Sequence, residues 1–159
     1  MKVPHAKELE GSVISACLTN QNAFPVASET LKAEHFYGSS NQLIFDAMTR
    51  LYNDNKPVDT LMVAEYLDGQ GTLKSVGGTD YLQKITQTRY NFLHLEGHAQ
   101  VIANKYVARE TIRVCTEAAN AAYSPEVDPM ETLTKLENWL GDIGSTGSKS
   151  KPVQIYDEA

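Results

Sequence analysis

The sequence predicts an all-α fold, a compact helical head followed by a long antiparallel helical hairpin. The strong breakers are few, 6 Pro and 10 Gly in 159 residues, and they punctuate segments rich in Ala, Leu, Glu, Lys and Gln. Within those segments apolar residues recur at three- and four-residue spacing, the period of one helix face. From His94 to Tyr123 there is no Pro and a single Gly, Gly97, before a Pro-rich break and a second apolar stripe. The length suits one compact domain, or a small domain with an appended hairpin, and 42% hydrophobic residues disfavour disorder throughout.

The elements follow in order. Leu9, Val13, Ala16, Cys17 and Leu18 mark a first helix over Glu8 to Leu18, with Pro4 placed just ahead of it. A shorter helix runs from Phe24 to Leu31, opened by Asn20-Gln21-Asn22 and compatible with Pro25 in its first turn. Glu34 to Gly38 reads as a loop that drops two aromatics, Phe36 and Tyr37, onto a core. Ser39 or Ser40 can cap the next helix, whose stripe runs from Leu43 through Tyr52. Asp59 caps a helix through Leu61, Ala64 and Leu67 that Gly69 and Gly71 end. Leu73 and Val76 bracket a turn, and Gly77-Gly78 opens a short helix carrying Tyr81, Leu82 and Ile85.

These elements make a head over residues 1–90. Residues 91–143 make the hairpin, whose first arm would be about 45 Å long at 1.5 Å per residue. Ser124 to Pro129 reverses the chain, and Leu133, Leu136, Leu140 and Ile143 follow at three-four-three spacing. On the first arm Val101, Ala108, Ile112, Cys115, Ala119 and Ala122 repeat at three, four or seven. Two helices alone bury such stripes incompletely, so a second copy is the natural completion. The seam would comprise Val101, Ala108, Cys115, Ala119, Leu133, Leu136, Leu140 and Ile143. A hairpin folded back onto the head is the alternative. Residues 144–159 read as a flexible Gly-, Ser- and Lys-rich linker leading to an amphipathic start.

Composition bounds function. Fourteen basic against 20 acidic residues leave a net charge of −6, which disfavours gripping DNA by charge alone and points to a protein partner. Cys17 and Cys115 lie far apart with no CxxC pair, as in a reduced cytoplasmic chain. No apolar run is long enough to span a bilayer, and the first residues lack the apolar core of a secretory signal.

Motifs of chemistry are weak or broken. The linker's Gly-Ser-Lys lacks the Gly directly before Lys of a phosphate loop, and no strand precedes it. His94 and His98 sit one turn apart as zinc ligands would, but with no third ligand and Glu96 at the wrong position, so no metal is assigned. Lys105, Arg109 and Arg113 form a basic row that could meet phosphates or an acidic partner; Glu110 and Glu117 beside it favour a solvated, ion-paired face. No nucleophile-and-base constellation is present, and no catalytic residue is assigned.

Several segments together resemble the amino-terminal domain of DnaB-type replicative DNA helicases of bacteria and phages. They are Pro4-His5-Ala6-Lys7-Glu8-Leu9-Glu10-Gly11-Ser12-Val13-Ile14, then Phe36-Tyr37, Ile44-Phe45, Pro57-Val58-Asp59, and Gly77-Gly78 with Tyr81-Leu82, in the family's order and spacing. Asn41, Tyr90 and His94 depart from the residues usual there. The resemblance implies a non-catalytic collar of three dimers in a hexameric helicase, docking the helicase-binding domain of primase or a loader. ATP and magnesium would belong to a motor domain absent from this chain, and no cofactor is expected in it. The docking face would map onto Glu8, Tyr81, Arg109 and Ile112, with Ala118 smaller than the residue often found at its position. Each has a plainer reading: Tyr81 as a core or rim aromatic, Ile112 as part of the seam, Glu8 as a first-turn acid favoured by the helix dipole, Arg109 as a solvated cation. A stand-alone loader or primase-associated adaptor is the alternative function.

Overall fold

The computed structural model describes residues 2–147, and among them every regular element is helical. Eight α-helices occur in the order α1 (Lys7–Thr19), α2 (Ala23–Ser28), α3 (Ser39–Asn53), α4 (Thr60–Gly69), α5 (Leu73–Val76), α6 (Gly78–Thr86), α7 (Leu95–Tyr123) and α8 (Pro129–Gly147). Single 3-10 turns at Ala33–His35 and Phe92–His94 lead into α3 and α7. The described residues divide into two compact units, Pro4–Tyr106 and the part from Val107 to Gly147, the latter also taking in Lys2 and Val3.

The first unit is built around α1. Its run from Ser12 to Leu18 is buried on all sides, so it behaves as a core rod rather than an amphipathic surface helix. Phe24, Phe36 and Phe45 pack against one another with centroids 4.9 and 5.2 Å apart, and Ile44, Met48 and Leu51 of α3 continue that core. Each such aromatic contributes about 1.5–3 kcal/mol by leaving water. The two buried serines of α1 tie it to the loop after α6: Ser12 donates to the Arg89 carbonyl at 3.2 Å and Ser15 to that of Thr88 at 2.8 Å.

Asp59 caps α4 as its position predicts, accepting the Met62 amide at 2.9 Å. Gly77 ends α5 with φ +108°, a left-handed conformation that glycine tolerates, and a Cβ there would come within 2.8 Å of the Tyr81 Cβ. Leu95, Ala99, Ile102 and Ala103, from the first turns of α7, belong to this same core. The compact head therefore reaches Tyr106 rather than ending at 90, because the small and branched residues on one face of early α7 complete its apolar interior.

The second unit holds the remainder of α7, the reversal at Ser124 to Asp128, and α8. Pro129 occupies the first helical position, where its missing amide costs nothing, and Asp128 accepts the Met130 amide at 3.1 Å. Ala118 and Ala121 of α7 share a crevice of about 260 Å³ with Val127, Thr132, Lys135 and Trp139, which sets the two arms side by side at the reversal.

Several local expectations are corrected. Neither Ser39 nor Ser40 is the cap of α3; both lie inside its first turn, and Gly38 precedes it with no side-chain cap of its own. Of the two aromatics expected in the core, Phe36 is fully buried, but Tyr37 stays exposed and stacks on His5 at 4.8 Å. The second helix stops at Ser28, short of Leu31. And α8 runs on to Gly147, into the predicted linker, with the Ser145 and Thr146 hydroxyls bonding back to the Asp142 carbonyl. The rest of that linker, 148–159, lies outside the described residues.

Candidate functional site

The first unit carries an open groove of about 1030 Å³. The first turns of α1 supply Lys7, Glu8 and Leu9; the start of α3 supplies Ser39, Ser40 and Asn41; α6 supplies Tyr81, Lys84 and Ile85; Arg89 and His98 complete it. Two of the predicted docking residues, Glu8 and Tyr81, thus share one surface although 73 positions separate them in sequence.

A buried carboxylate sets the shape of this groove. Glu10, 1% exposed, accepts the backbone amides of Tyr37 at 2.8 Å and Gly38 at 3.2 Å, and the Asn41 side-chain amide at 3.2 Å. Asn41 in turn accepts the Tyr81 hydroxyl at 2.8 Å. The chain of bonds ties α1, the entry to α3, and α6 together. Burial first, and then the neighbouring Glu10 charge, raise the Tyr81 phenol above its ordinary value, which keeps it a hydrogen-bond donor at neutral pH. Tyr81 is therefore half-buried, with its hydroxyl committed inward and the rest of its ring on the groove rim.

Arg109 and Ile112 lie in the second unit, three residues apart on α7, and Ile112 is 50% exposed. The basic row does not present three open cations. Arg113 binds Glu110 at 2.7 Å and Glu117 at 2.9 Å, bonds that raise its guanidinium further above its usual value and leave it locally neutralised. That favours the solvated, ion-paired reading of the row over a phosphate track. His94 and His98 meet edge to face at 5.9 Å, and among the described residues no group of three His, Cys, Asp or Glu stands close enough to hold a metal ion.

The predicted seam residues separate into two sets. Leu136 and Ile143 are half-buried, in step with Thr132 and Trp139 on one face of α8, whereas Leu133 and Leu140 are 51% and 43% exposed. On α7, Val114 and Ala118 are buried, while Val101, Ile112, Cys115 and Ala119 are exposed and Ala108 is partly covered. Ile112, Cys115, Ala119 and Ala122 follow four-residue and three-residue steps along one uncovered face.

Residues 2–104 match the family model described as DnaB-like helicase N terminal domain. The chain belongs to this family. A replicative DNA helicase DnaB of Rhodothermus marinus is 40% identical over 134 residues, covering 84% of this chain and 14% of that protein. The DnaB of Geobacillus stearothermophilus is 32% identical, covering 97% of this chain and 36% of that protein. The crystal structure of the N-terminal domain of DnaB helicase from Mycobacterium tuberculosis superposes with a TM-score of 0.81 at 26% identity, covering 89% of this chain and 99% of that one. The chain thus spans a minor share of the helicases it matches and nearly all of the solved N-terminal domain.

Within this DnaB-type domain, sequence reasoning missed Glu10, Asn41, Lys84 and Arg89 as builders of the groove. Glu10 lies 27 to 31 positions from its partners, so no local spacing reveals that it is buried. Lys84 and Arg89 flank the end of α6 and carry no periodic signal. Val114 and Trp139 were also missed, because the alanine- and leucine-rich stripe beside them is more conspicuous in sequence, and Ala118, placed by the resemblance on the docking face, is buried beside the crevice it shares with Trp139.

Proposed function

We propose that this domain is a non-catalytic self-association and protein-docking module of a replicative helicase, working in the cytoplasm. The observation that carries the reading is the uncovered apolar stripe of the second unit: Ile112, Cys115 and Ala119 on α7, with Leu133 and Leu140 on α8. Large aliphatic side chains at heptad steps on an exposed helix face lose roughly 1.5–3 kcal/mol each by staying in water, which a second copy of the same hairpin recovers. Val101, Ala108, Leu136 and Ile143 would border that seam. In the whole helicase such dimers would assemble further into a hexamer.

Docking of the primase helicase-binding domain, or of a loader, is proposed on the surfaces bearing Glu8 and Tyr81 in the first unit and Arg109 and Ile112 in the second. The groove supports it by lining one surface with an exposed acid, an aromatic and the apolar Leu9 and Ile85, the mixture that protein interfaces use. ATP and magnesium chemistry would reside in a separate motor domain, and DNA would be held weakly if at all given the net charge of −6. Among the described residues no helix is long and apolar enough to cross a membrane.

Sedimentation velocity over a wide concentration range, alone and with a candidate primase's carboxy-terminal domain, tests this reading. A dimer or larger species that shifts on adding the primase domain supports it. A monomer at all concentrations that ignores the primase domain overturns it in favour of a stand-alone adaptor with another partner.

A further inference from the structure

The groove of the first unit gathers more basic than acidic side chains in its lining. The chain is acidic overall, yet the groove gathers Lys7, Lys84 and Arg89 around one exposed acid, Glu8. Among the described residues none of these three cations stands within ion-pairing distance of a carboxylate, and Lys7 meets only the face of Tyr37, 5.8 Å from its centroid. The nearby acid that could neutralise them, Glu10, is buried and already holds three hydrogen-bond donors. The lining also includes two apolar side chains, the partly exposed Leu9 and the nearly buried Ile85.

We propose that this groove seats an acidic segment of a partner polypeptide, with carboxylates against Lys7, Lys84 and Arg89 and an apolar side chain on Leu9 and Ile85. The inference rests on the docking reading above and gives that partner its chemistry. Three cations in the lining of one cavity match discrete side-chain carboxylates, whereas a continuous phosphate chain would run into Glu8. Tyr81, with its hydroxyl fixed to Asn41, offers a rigid rim rather than a series of stacking platforms, which again fits a peptide better than single-stranded nucleic acid.

The test is fluorescence anisotropy with a short labelled peptide of alternating Glu and Leu, its Lys counterpart, and an oligothymidylate, each titrated with the protein and with a Lys84→Glu/Arg89→Glu variant. Both side chains are exposed and make no ion pair, so the variant keeps its fold, which circular dichroism verifies. The acidic peptide binds the native protein, weakens as salt rises, and loses about tenfold or more in affinity with the variant. Absence of acidic-peptide binding, equal binding of the Lys peptide, or an unchanged affinity in the variant overturns the proposal; so does oligothymidylate binding that the variant abolishes, which would assign the groove to nucleic acid. The primase helicase-binding domain, titrated in parallel, separates the two readings. Should it bind native protein and variant equally while the acidic peptide fails, docking stands and the groove assignment falls; should it never bind while the peptide does, the reverse holds.

Discussion

The Glu10 carboxylate receives the Tyr37 amide at 2.8 Å from the helix on which the whole head is assembled, and so fixes where α3 begins. Gly38 and Asn41 give it two further donors. The two backbone amides lie just ahead of the helix, so this acid anchors the entry to α3 without capping its first-turn amides.

Replacing that acid exposes the dependence. Glu10→Ala leaves two backbone amides and one side-chain amide facing a buried gap, and should cost about 2–4 kcal/mol, given the cost of stranding donors that served a charged acceptor. Glu10→Gln keeps an acceptor oxygen and the side-chain volume and should cost less. Urea unfolding of the three proteins gives the ranking; equal midpoints would show that the network contributes nothing.

Gly77 is the strictest backbone requirement in the head. Gly77→Ala combines φ +108° with a Cβ placed 2.8 Å from that of Tyr81, so a loss of roughly 2 kcal/mol or more is expected. Thermal unfolding should show a fall of roughly 4–8 °C. Gly97→Ala, in open space within α7, should instead be neutral or stabilising by up to about 1 kcal/mol.

The two thiols should differ sharply in reactivity. Burial pushes Cys17 up to about 12 from 9.0, so at pH 8 it stays protonated as well as covered, whereas Cys115 is exposed. A thiol reagent should modify Cys115 in the folded protein and reach Cys17 only on unfolding. The raised value also means that the folded state holds its proton more tightly than the unfolded chain: this contribution is intact below about pH 9 and is lost as pH rises toward 12. Denaturation midpoints at pH 8 and pH 10 should fall in that direction, and a rising midpoint would contradict the linkage.

The helical class, the cap at Asp59, the short helix opened at Gly77-Gly78 and the long α7 were legible in sequence because each depends on neighbours within a few residues. Tyr37 was misplaced because alternation between core and surface in a short loop has no period to read. Glu10 was not recognised as buried, since an acid in a first turn already has a local explanation in the helix dipole. The hairpin stripe was visible, but which half of it faces the other arm is decided by Val114, Ala118 and Trp139, whose positions in the stripe only the folded arms distinguish.

Self-association through the uncovered stripe is the central claim, and a Leu133→Asp/Leu140→Asp variant tests it directly. Both leucines are about half exposed in the single chain, so the variant's unfolding free energy as a monomer should change by no more than about 0.5 kcal/mol per site. Sedimentation equilibrium of the native and variant proteins is the decisive comparison: a native dimer or larger species that becomes monomeric in the variant is the expected result, and a variant that self-associates as strongly as the native protein would contradict the claim.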